Sequence, residues 1–157
     1  MKLAVILAMA ATVASAQSND VRRWVDYWAD RYGVERELVH AVIEVESAGN
    51  PRAVSSAGAA GVMQLMPDTA ATFRVTNRFD VSENIRAGVA YLALLRGRLG
   101  DDKRLIMAAY IAGERRIPRD GLTVAFSKEV HDYVERVAYL YRRNRWETLL
   151  REGVGTK

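Results

Sequence analysis

Glu44 and Glu46 stand two residues apart in Glu44-Val45-Glu46-Ser47, just before Gly49-Asn50-Pro51. At roughly 100° per residue, Glu46 shares a helix face with Val39, Val42 and Ile43, whereas Glu44 points about 200° away, in register with His40. Glu44 therefore reads as a solvent-facing residue with a helix partner. Glu46 reads as a carboxylic acid projecting from an apolar face at a helix C-terminus. Burial disfavours its ionised form, and so does the partial negative charge at the helix end. An acid kept protonated near neutral pH is what glycoside cleavage needs to protonate a leaving oxygen. Helix geometry alone fits at least as well a half-buried glutamate bonded to a backbone amide or an arginine.

A second segment bears on that choice. Ser55-Ser56-Ala57-Gly58-Ala59-Ala60-Gly61-Val62-Met63-Gln64-Leu65-Met66-Pro67 holds two glycines three apart, followed by a glutamine. Gly58 and Gly61 remove side chains where a backbone must turn or a ligand must come close. The Gln64 amide offers a donor and an acceptor suited to the amide and hydroxyl groups of an amino sugar. A glycine-bearing loop packed tightly on a helix would look the same.

These residues need elements to position them, and the periodicity is helical throughout. Asp20 to Tyr32 carries Val21, Trp24, Val25 and Trp28 at spacings of three and four, which predicts an amphipathic helix with both tryptophans in the core. A second helix is expected from about Glu35 to Ser47. Residues 52 to 66 lack periodicity, and a short helix should begin at Pro67-Asp68. Ser82 is placed to cap the next helix, which ends at Gly100. Asp101-Asp102 open another, ending at Gly113. Arg115 to Phe126, with Pro118 and Gly121, should be a loop, and Ser127 should cap a last helix reaching about Arg145. Arg74 to Thr76 is the only strand candidate. The expected class is all-α.

Residues 1–16 combine Lys2, the apolar run Leu3 to Val13, and Ala14-Ser15-Ala16, the pattern of a cleaved signal peptide. The run falls short of the roughly 20 apolar residues a membrane-spanning helix takes. The expected organisation is a signal peptide over 1–16, an N-terminal helix over 17–33, a catalytic domain over 34–141 and a basic tail over 142–157. The product is exported, to a periplasm or outside the cell, with no stable membrane anchor. The chain of 157 residues has no cysteine, so a hydrophobic core must hold it without disulfides. A net charge of +4 suits an anionic partner, and export favours cell wall over nucleic acid.

The run from Glu46-Ser47 through Asn50-Pro51, Ala53-Val54-Ser55, Gly58-Ala59 and Gly61-Val62-Met63-Gln64-Leu65-Met66-Pro67 to Thr69-Ala70 resembles the signature of the soluble lytic transglycosylases. These form glycoside hydrolase family 23 of the lysozyme-like superfamily. Asn84-Ile85, Gly88 and Tyr91-Leu92 resemble the family's middle helix. Ala108-Ala109-Tyr110, with Ala112-Gly113, resembles a second substrate-lining motif, and Glu129 with Tyr133-Val134 the last. The resemblance implies a lysozyme-like helical domain with a glycan-binding groove. It implies Glu46 as the single catalytic acid/base, and Ser55, Gln64, Met66, Tyr110 and Tyr133 as groove residues. It implies cleavage of the β-1,4 bond between N-acetylmuramic acid and N-acetylglucosamine in peptidoglycan glycan strands, leaving 1,6-anhydromuramyl ends. It implies no metal or other cofactor. A monomer is expected, and an envelope-spanning assembly is one setting for such a domain. A hydrolytic muramidase of the same fold and a non-catalytic peptidoglycan-binding protein are the competing readings.

The sequence departs from the family pattern at Ile111, where asparagine is usual, at Glu114, and at Val130-His131. Glu114 suits either a second carboxylate role or a loop pair with Arg115 or Arg116. His40 and His131 are expected on the surface. Tyr139 to Arg151, with Arg142, Arg143, Arg145, Trp146 and Arg151, reads as a helix with a solvated basic face, or as a contact for membrane or anionic wall polymers.

Overall fold

The computed structural model describes residues 2–117 and 127–153, with side chains from residue 17 onward. Six α-helices follow in order: α1 Lys2–Tyr32, α2 Arg36–Ser47, α3 Pro67–Thr72, α4 Val81–Leu99, α5 Lys103–Ala112 and α6 Lys128–Arg151. Among the described residues there is no strand, and the only β pairing is two isolated bridges in the loop before α3, Val54 with Ala60 and Ala60 with Leu65. The fold is all-α, as the periodicity predicted. The later part of the expected 115–126 loop, including Pro118 and Gly121, lies outside the described residues. So do the side chains of the 1–16 segment.

The helices pack because each carries an apolar stripe. In α1 the stripe is Val21, Val25 and Ala29, at a repeat of four. Helix α1 lies along α4, α2 lies across α6, and α5 is held between α4 and α6. Val25, Val39, Val42, Ile85, Leu95 and Val137 from four of these helices, with Val62 from the loop before α3, meet in one core. No helix among the described residues is long and apolar enough to cross a membrane.

The boundaries differ from expectation at four places. The cap of α4 is Asp80, not Ser82: the Asp80 carboxylate accepts from the Glu83 N–H at 2.8 Å. A carboxylate at that position also favours the positive end of the helix dipole, and Ser82 instead accepts from Trp28 Nε1–H at 3.3 Å. Arg74 to Thr76 is no strand. Arg74 takes a φ of 55°, and the Arg74 and Val75 N–H groups donate back to Ala71 and Ala70 at 3.1 and 2.8 Å, closing the end of α3. Helix α6 runs past Arg145 to Arg151 because α2 anchors it. Arg143 pairs with Glu44 at 2.7 Å, and Asn144 donates to the Glu37 carbonyl at 3.2 Å. Caps at Asp102 and Ser127 form as predicted, and α1 begins earlier than Asp20, at Lys2.

Candidate active site

Glu46 occupies the last turn of α2. Just beyond it the helix stops with Ala48 and Gly49 both at positive φ, 51° and 77°. Ser47 makes that stop specific. Its hydroxyl donates to the Val62 carbonyl at 2.7 Å and accepts from the Gly49 N–H at 3.1 Å. The end of α2 is thereby tied to the glycine-bearing loop.

The loop from Ala53 to Leu65 sinks Val62, Met63 and Leu65 into the core and is held from outside by polar groups of other segments. Asn84, fully buried on α4, accepts from the Met63 N–H at 2.8 Å and donates to the carbonyls of Ala60 and Arg78 at 3.0 and 2.7 Å. The Arg78 guanidinium donates to the carbonyls of Gly58 and Leu65 at 2.6 and 3.0 Å. Tyr110, on α5, donates its hydroxyl to the Met63 carbonyl at 2.9 Å. Gly61 is required by this packing. A Cβ there would lie 2.1 Å from Asn84 Nδ2 and 2.2 Å from the Arg78 carbonyl.

Against this floor the Glu46 carboxyl has one hydrogen-bond partner among the described residues. Tyr133, on α6, donates its hydroxyl to Glu46 Oε1 at 2.7 Å. Burial pushes the Glu46 carboxyl up to about 7 from its ordinary 4.5, and the Tyr133 hydrogen bond pulls only weakly the other way. Burial also raises both tyrosine hydroxyls, and the nearby Glu46 charge adds to it, so Tyr110 and Tyr133 remain neutral donors. Beside the acid, Tyr110, Tyr91 and Phe73 form an aromatic row with ring centroids 5.4 and 6.1 Å apart.

The six residues expected at the site have different employment. Glu46 and Tyr133 touch directly, and Tyr110 acts on Met63 without bonding Glu46. Gln64, expected to offer sugar both a donor and an acceptor, spends its amide nitrogen on the carbonyls of Ala53 and Gly61 at 3.1 and 2.9 Å. Only its Oε1 is left for a ligand, because both amide hydrogens are taken by the turn's own carbonyls. Ser55 accepts from the Ala59 N–H at 3.0 Å and shapes the turn around Gly58. Met66 caps α3 and stands 43% exposed at the rim.

Three surface expectations change. Glu44 pairs with Arg143 on α6 and not with His40. His40 is half-buried and lines a cleft of about 720 Å³ between α1, α2 and the end of α6, on the far side of α2 from Glu46; desolvation there lowers its pKa. Glu114 pairs with Arg98 on α4, not with Arg115 or Arg116. The tryptophans Trp24 and Trp28 pack on the core edge as expected, while Trp146 does not. His131 and Ile111 are exposed.

Asn84 and Arg78 were not singled out as site residues by sequence reasoning. Asn84 did carry a signal: it stands one turn before Gly88 and two before Tyr91, a polar group in an apolar helical stripe. A buried amide needs partners for all its valences, and the loop carbonyls supply them.

An all-α, lysozyme-like domain with one half-buried carboxylic acid over a glycine-bearing loop is the class that fold and site define. The family model described as the transglycosylase SLT domain matches residues 23–131, and the chain belongs to that family. It is 48% identical over 80 residues to a membrane-bound lytic murein transglycosylase F of Desulfosudis oleivorans, a match covering 51% of this chain and 18% of that protein. It is 32% identical over 154 residues to a membrane-bound lytic murein transglycosylase C of Histophilus somni, covering 85% of this chain and 42% of the other. The crystal structure of the 70 kDa soluble lytic transglycosylase of Escherichia coli superposes with a TM-score of 0.70 at 27% identity, covering 83% of this chain and 24% of that one. The chain thus spans less than half the length of each of these proteins.

Proposed function

We propose that this chain is a peptidoglycan lytic transglycosylase with Glu46 as its single acid/base. The observation that carries the reading is a half-buried carboxyl raised to about 7, held by one neutral donor, Tyr133. Near neutral pH a large fraction of Glu46 is protonated and able to donate to the glycosidic oxygen as that bond breaks. Positive charge develops at the anomeric carbon of the muramic acid. The resulting Glu46 carboxylate then takes the proton from the sugar's own 6-hydroxyl, whose oxygen closes onto the anomeric carbon. The glycosidic bond is lost, the 1,6-anhydro bond is formed, and Glu46 regains its proton. Because nucleophile and electrophile belong to one sugar, no second carboxylate has to position water.

In this reading the loop of residues 53–66 is the groove floor, the row of Phe73, Tyr91 and Tyr110 a wall, and Gln64 Oε1, Ser55 and Met66 contacts for the glycan. Ala14-Ser15-Ala16 would be the cleavage point of an export signal, with the domain acting in the periplasm or outside the cell. The deciding experiment is mass spectrometry of purified peptidoglycan digested by wild type and Glu46→Gln in parallel. Anhydromuramyl ends from wild type and none from the variant are expected. Reducing muramic ends would replace this reading with a hydrolytic muramidase, and release of nothing by wild type would replace it with a binding protein.

A further inference from the structure

The outer face of α6 carries large side chains that the cleaving site does not use. Tyr139, Trp146 and Leu150 are 62%, 59% and 51% exposed. At roughly 100° per residue these three and Arg142 fall within an arc of about 80°. The helix's buried residues Tyr133, Val134, Val137 and Leu140 fall on the opposite side. The stripe is therefore aimed away from the core and joins no apolar cluster among the described residues.

Its spacing and charge point to an occupant. Tyr139 and Trp146 are seven residues apart, which sets them about 10.5 Å apart along the helix axis. That is about the length of one disaccharide repeat in a β-1,4-linked glycan, so the two rings can meet alternate sugars of a single strand. Arg142 stands between them. Its neighbours are engaged, Arg143 with Glu44 and Glu147, and Arg145 with Glu35. Arg142 is exposed and makes no ion pair among the described residues. Wall glycan carries peptide carboxylates on alternate sugars, the complement of a free guanidinium between two aromatic platforms.

We infer that the Tyr139–Arg142–Trp146 face of α6 is an accessory glycan-binding surface that holds a peptidoglycan strand outside the cleaving groove. The inference rests on the reading of the chain as a peptidoglycan-cleaving enzyme. Aromatic rings present flat apolar area to the sugars' C–H faces, Arg142 pairs with a stem carboxylate, and Leu150 extends the apolar strip. Glu135, one turn before Tyr139, repels the same carboxylates and sets the end of the surface.

The test compares wild type with Trp146→Ala, Tyr139→Ala, the double variant and Arg142→Gln in two assays: co-sedimentation with purified sacculi, and turnover of a short soluble muropeptide tetrasaccharide. Each single variant should weaken sacculus retention about fivefold and the double more, with tetrasaccharide turnover unchanged. Trp146→Tyr, which keeps a stacking ring, should restore retention. Unchanged sedimentation of the double variant overturns the proposal. So does a wild type that these residues hold on phosphatidylglycerol vesicles and not on sacculi, or a loss of turnover in step with retention. Failure of wild type to cleave the tetrasaccharide would sink the enzymatic reading while sedimentation still decided the surface.

Discussion

Replacing Glu46 with glutamine should stabilise the protein, and only at the pH where the acid is forced to ionise. The Glu46 carboxyl is raised from 4.5 to about 7 in the folded chain. A carboxyl with a raised folded pKa binds its proton more tightly in the native state. Its contribution is favourable below about 4.5, is lost as pH rises between the two values, and is fully absent above 7. A tenfold change in proton affinity corresponds to about 1.4 kcal/mol. The rise from 4.5 to about 7 then amounts to about 3 kcal/mol of native-state penalty at pH 8. Glutamine has no charge to bury, and its Oε1 can still accept from Tyr133. Glu46→Gln should therefore match wild type near pH 4 and exceed it by about 3 kcal/mol at pH 8, roughly 10 °C in Tm. Thermal or urea denaturation of both proteins across pH 4 to 9 measures the difference. A stability difference that does not vary with pH refutes the argument, because the raised pKa would then be absent and the case for Glu46 as a neutral-pH acid with it.

Tyr133→Phe removes the one hydrogen bond that favours ionised Glu46. The alkaline limb of kcat/KM should move to higher pH, away from a midpoint near 7, and an unmoved limb in a pH–rate profile would count against the contact. Gly61→Ala should cost at least about 3 kcal/mol in denaturant unfolding, because the new Cβ meets Asn84 and the Arg78 carbonyl. Gly58→Ala, with φ 87° but nothing within 4 Å, should cost only about 1–2 kcal/mol. Asn84→Ala leaves the Met63 N–H and two carbonyls without their partner, and should cost roughly 3 kcal/mol or more by urea titration.

The helices were legible because each buries one continuous stripe, so Val21, Val25 and Ala29, or Val39, Val42 and Ile43, announce both the element and its inner face. The same periodicity separated Glu46 from Glu44. Helix ends were less legible where chemically similar caps compete. Asp80 and Ser82 are both good N-caps, and the choice falls to the residue whose oxygen reaches the third amide. Long-range polar pairs left no local trace. Nothing near Glu44 in sequence points to Arg143, and nothing near Glu114 points to Arg98, because such partners are set by how helices cross. Gln64 shows the same limit within the site. Its amide suits sugar recognition, but two carbonyl acceptors, of Ala53 and Gly61, commit the nitrogen to the turn.

That commitment explains why so small a loop can serve as a floor. Glycines at 58 and 61 give a backbone that approaches closely but has little stiffness of its own. Ser47 on α2, Asn84 on α4 and Tyr110 on α5 each bond the stretch from Ala60 to Met63, while α6 holds Glu46 through Tyr133. The acid and the floor beneath it are thus fixed by four different helices, and all four meet in the same core. A change that loosens the packing of any one helix should therefore shift the acid relative to the floor. Where a reaction depends on one carboxyl acting on two oxygens in turn, that relative position must survive both steps. On the proposed reading, the buried amide of Asn84, which no sugar need ever touch, is then as necessary to the chemistry as the groove residues.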